Sequence, residues 1–361
     1  MSTSLDKSSA AAVAPAPATI DVHARGLPRW APLGVLVGCA VVGGLLVAAA
    51  GMNLGLGAVV VAVLFLVVLG MWSRVVEGSR RSTDRVVTGL VSLAFLLAIL
   101  PLVSVLYTVL KNGITRFDGE FFTASMRGVV GEGGGAYHAI MGTLLITLFA
   151  TLMAVPVGML TAVYLVEYGH GKLARSITFF VDVMTGIPSI VAGLFAYAFL
   201  AIFFGPGVRM GFGGSLALAV LMIPVVVRSV EEMLKLVPNE LREAAYALGV
   251  PKYLTILKVV LPTALAGIAT GVTLAIARVI GETAPLLIIA GATTSTNFNV
   301  FDGRMASLPV FAYQSYANPG VPRDPYVDRA WTGALVLILI VMVLNVVARM
   351  ISRLFSPQAG R

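Results

Sequence analysis

The sequence predicts an all-α integral membrane protein with eight transmembrane helices, and three observations lead there. Of its 361 residues, 58% are hydrophobic and only 12% charged, about half the ~25% charged share of soluble domains. Eight apolar stretches approach the ~20 residues that a helix needs to cross a ~30 Å hydrocarbon core. The chain has one cysteine, Cys39, inside an apolar run, which removes an intramolecular disulfide framework and any paired-thiol zinc or redox motif. Cys39 is expected to serve packing. The net charge of +8 comes without a dense basic segment interleaved with aromatics, so topology explains it better than nucleic acid does.

In chain order, residues 1–30 are rich in Ala, Ser and Pro and read as a disordered cytoplasmic tail. Ala14-Pro15-Ala16 resembles a cleavage site, but no apolar core precedes it. Sustained hydropathy places spans at about Ala31–Gly51, Leu54–Met71, Val86–Leu110, Ala139–Val166, Ser176–Phe204, Gly214–Val227, Ala264–Ala290 and Trp331–Val347. The sixth is short and is expected to run past Val227, because Arg228 can snorkel to the headgroups. The first two spans (31–71) read as an accessory hairpin, joined by a basic cytoplasmic linker (72–85) to a six-span core (86–355). A short tail (356–361) follows. Pro101, Pro156, Pro188, Pro224 and Pro285 interrupt spans and are expected to kink them.

Cytoplasmic loops carry the Lys/Arg excess. With both termini inside, 17 basic residues fall on the cytoplasmic side and 7 on the other, with Arg278 within a span. Two outer loops, 111–138 and 291–330, are long, polar and aromatic, which suits partner docking. Gly131 to Gly135 lacks the preceding strand and following Lys of a phosphate-cradling loop and reads as a flexible connector.

Span seven holds Arg278 and Glu282, expected one turn apart on one helical face, where an unpaired charge costs at least ~2.5 kcal/mol. Such a pair either locks helices together or lines a hydrated path. A planar, permanently charged guanidinium suits a tetrahedral oxyanion. Glu282, by competing for it, would let the anion leave. Arg228, beside Glu231 and Glu232, is a secondary path candidate, and Asp182 in span five is expected to hydrogen-bond within the bundle.

The one long charged inner loop, 237–262, reads as two short helices. Pro238 suits a first turn, Gly249 a left-handed cap and Pro251 the start of the second helix. Leu241, Ala244, Ala245 and Leu248 recur at helical spacing, with the alanines allowing close approach of another protein. The string Glu243-Ala244-Ala245, three residues, Gly249, nine residues, Val259, one residue, Leu261-Pro262 resembles the EAA loop of ABC-importer permeases. Val259 stands where that family has Ile or a similar residue. The resemblance implies that Leu241, Glu243, Ala244, Ala245, Leu248 and Gly249 couple this subunit to a separate ATPase. The chain has no nucleotide-binding G-x-x-x-x-G-K-[ST] of its own.

The segments Ala277-Arg278-Val-Ile-Gly281-Glu282-Thr283-Ala284-Pro285-Leu286-Leu287, Thr185-Gly-Ile-Pro188-Ser189 and Met305-Ala-Ser-Leu-Pro309 narrow the resemblance to the phosphate-specific ABC importer, and to its PstA-type rather than PstC-type permeases. It covers Val86 to the C-terminus and leaves the hairpin unassigned. It implies a bacterial plasma-membrane complex with a PstC-like second permease, two PstB-like ATPases and an outer PstS-like phosphate-binding protein. No cofactor is expected. The competing readings are an ion-coupled secondary transporter and a permease for a related oxyanion. An integral membrane enzyme is disfavoured, because His23, His138 and His170 have no metal-binding spacing.

Overall fold

The computed structural model describes residues 27–28, 30–50 and 54–355. Most of the tail expected over 1–30, and all of 356–361, lie outside the described residues. Among the described residues every regular element is helical: α1 (Ala31–Ala50), α2 (Leu54–Glu77), α3 (Ser79–Gly113), α4 (Gly119–Thr123), α5 (Tyr137–Val163), α6 (Gly171–Thr185), α7 (Ser189–Phe204), α8 (Gly211–Lys235), α9 (Asn239–Ala247), α10 (Lys252–Thr255), α11 (Leu261–Val279), α12 (Ala284–Ile289), α13 (Leu308–Ala317) and α14 (Asp324–Phe355). Wide π turns extend α5 over Tyr164–Tyr168 and join α10 to α11 over Ile256–Val260. Seven helices are long and apolar enough to cross a membrane, and α6 with α7, bent by 111°, make up an eighth. This is a multi-pass membrane protein.

Several boundaries differ from expectation. The stretch read as a linker, 72–85, is helical on both sides of Gly78, whose φ of +87° turns the chain. Hydropathy marks only the lipid-immersed part of a helix, while backbone hydrogen bonding carries the helix beyond it. The span expected over Ser176–Phe204 breaks at Gly186 to Pro188, and that over Ala264–Ala290 breaks after Val279. The second helix of the inner loop is the foot of span seven, helical from Lys252 to Val279. Helices run on through Pro101, Pro156 and Pro224.

Two compact units divide at Ser104 and Val105. In the first, α1 and α2 approach through small residues: a Cβ on Gly43 would stand 2.1 Å from the Val61 side chain, and one on Gly57 2.2 Å from Val47. Val35, Cys39, Phe65 and Leu69 form its small core, so Cys39 packs as expected. In the second unit, α8 is the central helix, in contact with α5, α6, α7, α11 and α12. Its Leu218, Met222, Val226, Val227, Val230 and Leu234 are wholly enclosed.

The two long loops expected to suit partner docking pack together as a cap. Phe121 from the first, Ala306, Leu308 and Phe311 from the second, and Val336 from α14 share one apolar cluster. A Cβ on Gly142 would sit 1.9 Å from the Ala306 carbonyl oxygen, so only glycine lets α5 lie this close to the second loop. The glycine run is clamped rather than flexible. The fully buried Arg329 donates from Nη1 to the Gly131 and Gly133 carbonyls, each at 2.8 Å, and Arg116 Nη2 donates to Gly134 at 2.9 Å. Asp118 caps α4; the Phe121 amide, with Arg116 adding to it, holds its carboxyl below the ordinary aspartate value of 3.8. Its contribution to loop stability is therefore complete above that value and lost on further acidification.

Candidate functional site

The two broken spans meet. A Cβ on Gly193 of α7 would lie 2.6 Å from Pro285 Cα in α12, so the second halves of both spans touch backbone to backbone. Beside this crossing lies a 170 Å³ cavity whose polar lining is Thr185, Ser189, Arg278 and Glu282. Discontinuous helices are a recurrent way to place polar groups at membrane depth, since the break frees backbone groups where a cavity can hydrate them. Ser189 opens α7, so its amide lacks a carbonyl partner within the helix.

Arg278 and Glu282 both line this cavity, but not as one helical face. The helix ends at Val279, and Glu282 sits in the break, its amide bonded to the Val279 carbonyl at 3.1 Å. Among the described residues Arg278 and Glu282 form no ion pair with each other or with any other group. Arg278 is exposed, so the cavity opens onto the surface of the chain. Arg228 differs. It is ion-paired to Asp182 and, at 2.8 Å, to Glu231, which also binds Lys235 at 2.6 Å. Four charges thus neutralise one another where α6 meets α8, in line with the hydrogen bond expected of Asp182. Of the two arginines offered for the path, only Arg278 is without an ion pair among the described residues.

The inner loop forms α9 with Pro238 as its N-cap. Gly249 has φ +76°, its amide bonds the Tyr246 carbonyl, and the Val250 amide bonds that of Ala245, which is a Schellman closure. Leu241, Glu243, Ala244 and Leu248 are exposed, Leu248 at 85%. Ala245 is buried and faces the bundle instead, so it does not share the free face expected of it.

Sequence reasoning missed the anchor of this helix. Arg242 Nε and Nη2 donate to Glu167 Oε1 at 3.1 and 2.8 Å, while Nη1 reaches the Val237 carbonyl at 2.7 Å and Nη2 the Leu234 carbonyl at 3.0 Å. Glu167 is buried in the π turn that ends α5. Lys252 adds a bond to the Glu167 carbonyl and lies over the Tyr168 ring at 4.6 Å. One carboxylate thereby ties α9 to α5. Its only sequence signal is a lone Glu at the end of an apolar run.

Residues 154–361 match the family described as binding-protein-dependent transport system inner membrane component. The phosphate transport system permease protein PstA of Mycobacterium leprae is 49% identical over 279 residues, covering 75% of this chain and 89% of that protein. PstA of Pasteurella multocida is 39% identical over 285 residues, covering 78% and 97%. An inward-facing structure of the MetNI methionine ABC transporter aligns over 62% of this chain and 94% of its own, with 23% identity and a TM-score of 0.48. With a profile spanning more than half its length and relatives matched nearly end to end, this chain belongs to the family of binding-protein-dependent transport system inner membrane components.

Proposed function

We propose that this chain is the PstA-type permease of an ATP-driven importer of inorganic phosphate. The observation that carries the reading is Arg278, a guanidinium without a protein partner among the described residues, in a cavity at the crossing of two broken spans. Relatives named as phosphate permeases match three quarters of the chain. Arg278 is the transient partner of the anion, Ser189 supplies a hydroxyl, and Glu282 keeps the local field from becoming a trap. Because the cavity opens at the chain's surface, a PstC-like second permease completes the path. Two PstB-like ATPases and an outer PstS-like phosphate-binding protein complete the complex.

In this reading loop 237–262 and both termini are cytoplasmic, as the basic residues favour. The exposed Leu241, Glu243, Ala244 and Leu248 dock on the ATPase, Ala245 seats the helix on the bundle, and Gly249 sets the angle to span seven. The paired Arg228 serves the wall of the path.

The deciding experiment purifies the tagged chain, identifies the bound subunits and measures phosphate uptake after reconstitution. ATP-dependent uptake that excess sulfate leaves unchanged is expected. Uptake by this chain alone under a proton gradient would overturn the reading in favour of secondary transport. Glu243→Arg and Gly249→Leu are each expected to abolish ATPase co-purification or uptake while membrane insertion stays normal. Gly249→Leu also forces a side chain into a left-handed conformation that costs roughly 1–2 kcal/mol. Normal uptake in both variants would remove the coupling role from this loop.

A further inference from the structure

The N-terminal unit holds a groove of 670 Å³, lined by α1, α2 and α3 and lying wholly within that unit. This is within the size range of small-ligand sites, ~300–1,000 Å³, and it shares no lining residue with the cavity at Arg278. Its polarity is graded. Along α3 the lining residues Arg81, Arg85, Thr88, Ser92 and Leu96 recur every three or four positions, which puts them on one helical stripe about 22 Å long. The stripe runs from guanidinium through hydroxyl to aliphatic. Phe65 and Leu69 of α2 form a buried apolar floor.

The charged end has one saturated pair and one spare cation. Glu77 accepts from the Leu27 amide and Ser73 Oγ, each at 2.7 Å, and from Arg85 Nε at 2.5 Å and Nη2 at 2.7 Å. Arg85 is thus neutralised and held in place. Arg81 is exposed and has no ion pair among the described residues, and neither has Asp84 at the same mouth.

We propose that this groove binds a glycerophospholipid with an anionic headgroup. The order of groups along α3 repeats the order along such a lipid: phosphate diester at Arg81, ester linkages at Thr88 and Ser92, acyl chain over Phe65 and Leu96. The corner at Gly78, where α2 and α3 both end, sets this mouth at the membrane surface.

The test adds phosphatidylglycerol or phosphatidylcholine of identical acyl chains to the delipidated full complex and counts bound lipid by native mass spectrometry. Phosphatidylglycerol is expected to be retained about fivefold better, the preference that one arginine at an anionic surface supplies. Arg81→Gln should bring the ratio near one. Ser92→Trp, which fills the groove below the headgroup, should lower retention of both lipids. Equal retention by the unaltered complex, or an unchanged ratio in Arg81→Gln, would overturn the proposal. Displacement of phosphatidylglycerol by millimolar inorganic phosphate would also overturn it, since the site would then read free phosphate. None of these readouts depends on transport.

Discussion

Phosphate uptake by the Arg278→Ala complex is expected to fall about 10- to 100-fold, the range that losing a charge-assisted hydrogen bond to the anion implies. The complex itself should survive. Arg278 bonds no other side chain among the described residues and lines a cavity of 170 Å³, so truncation strips no buried group of its partner. Arg278→Lys keeps the charge but loses the planar fork that matches two phosphate oxygens, and an intermediate rate is expected. Initial rates at matched complex concentration, with subunit stoichiometry checked on the same sample, decide it. Unchanged transport in the alanine variant would move Arg278 to a purely architectural role.

The second large effect lies at the inner end of α5. Arg242→Ala should destabilise the chain by about 3–5 kcal/mol, because it leaves the buried Glu167 carboxylate without its cation. Side-chain exposures of 12% for Arg242 and 5% for Glu167 place this pair out of reach of solvent screening. Lys252 bonds the Glu167 backbone carbonyl and not its carboxylate, so its charge offsets only part of the loss. Adding Glu167→Gln to Arg242→Ala removes the stranded charge and should recover much of the stability. Motion transfer from α9 to α5 should stay impaired in the double variant. Thermal unfolding of the purified complex reads the first effect, and phosphate moved per ATP hydrolysed reads the second. If the double variant is as unstable as Arg242→Ala alone, the unpaired-charge account fails.

All eight spans were legible in the sequence because hydropathy over a long window is additive and local. Direction changes within a span are not. Pro156 and Pro224 sit within continuous helices, whereas Pro188 and Pro285 lie at breaks. The latter two follow glycines, Gly186 and Gly281, so the chain there loses both an amide donor and the stiffness that would carry it past the gap. Arg278 and Glu282 could be chosen for their charge in an apolar run. Their placement on one turn failed, because the helix stops between them. The Schellman turn at Gly249 was readable from a single residue type, as turn chemistry often is. The Glu167 to Arg242 pair spans 75 positions, and no local pattern encodes a partner at that distance.

The clamp of Arg329 on Gly131 and Gly133 joins positions nearly 200 residues apart. Backbone acceptors in the first long loop therefore wait for a donor carried by the last helix to be synthesised. During biogenesis this end of the molecule is finished late, once residue 329 has emerged. A ribosome stalled before residue 329 would leave a threaded but unroofed bundle.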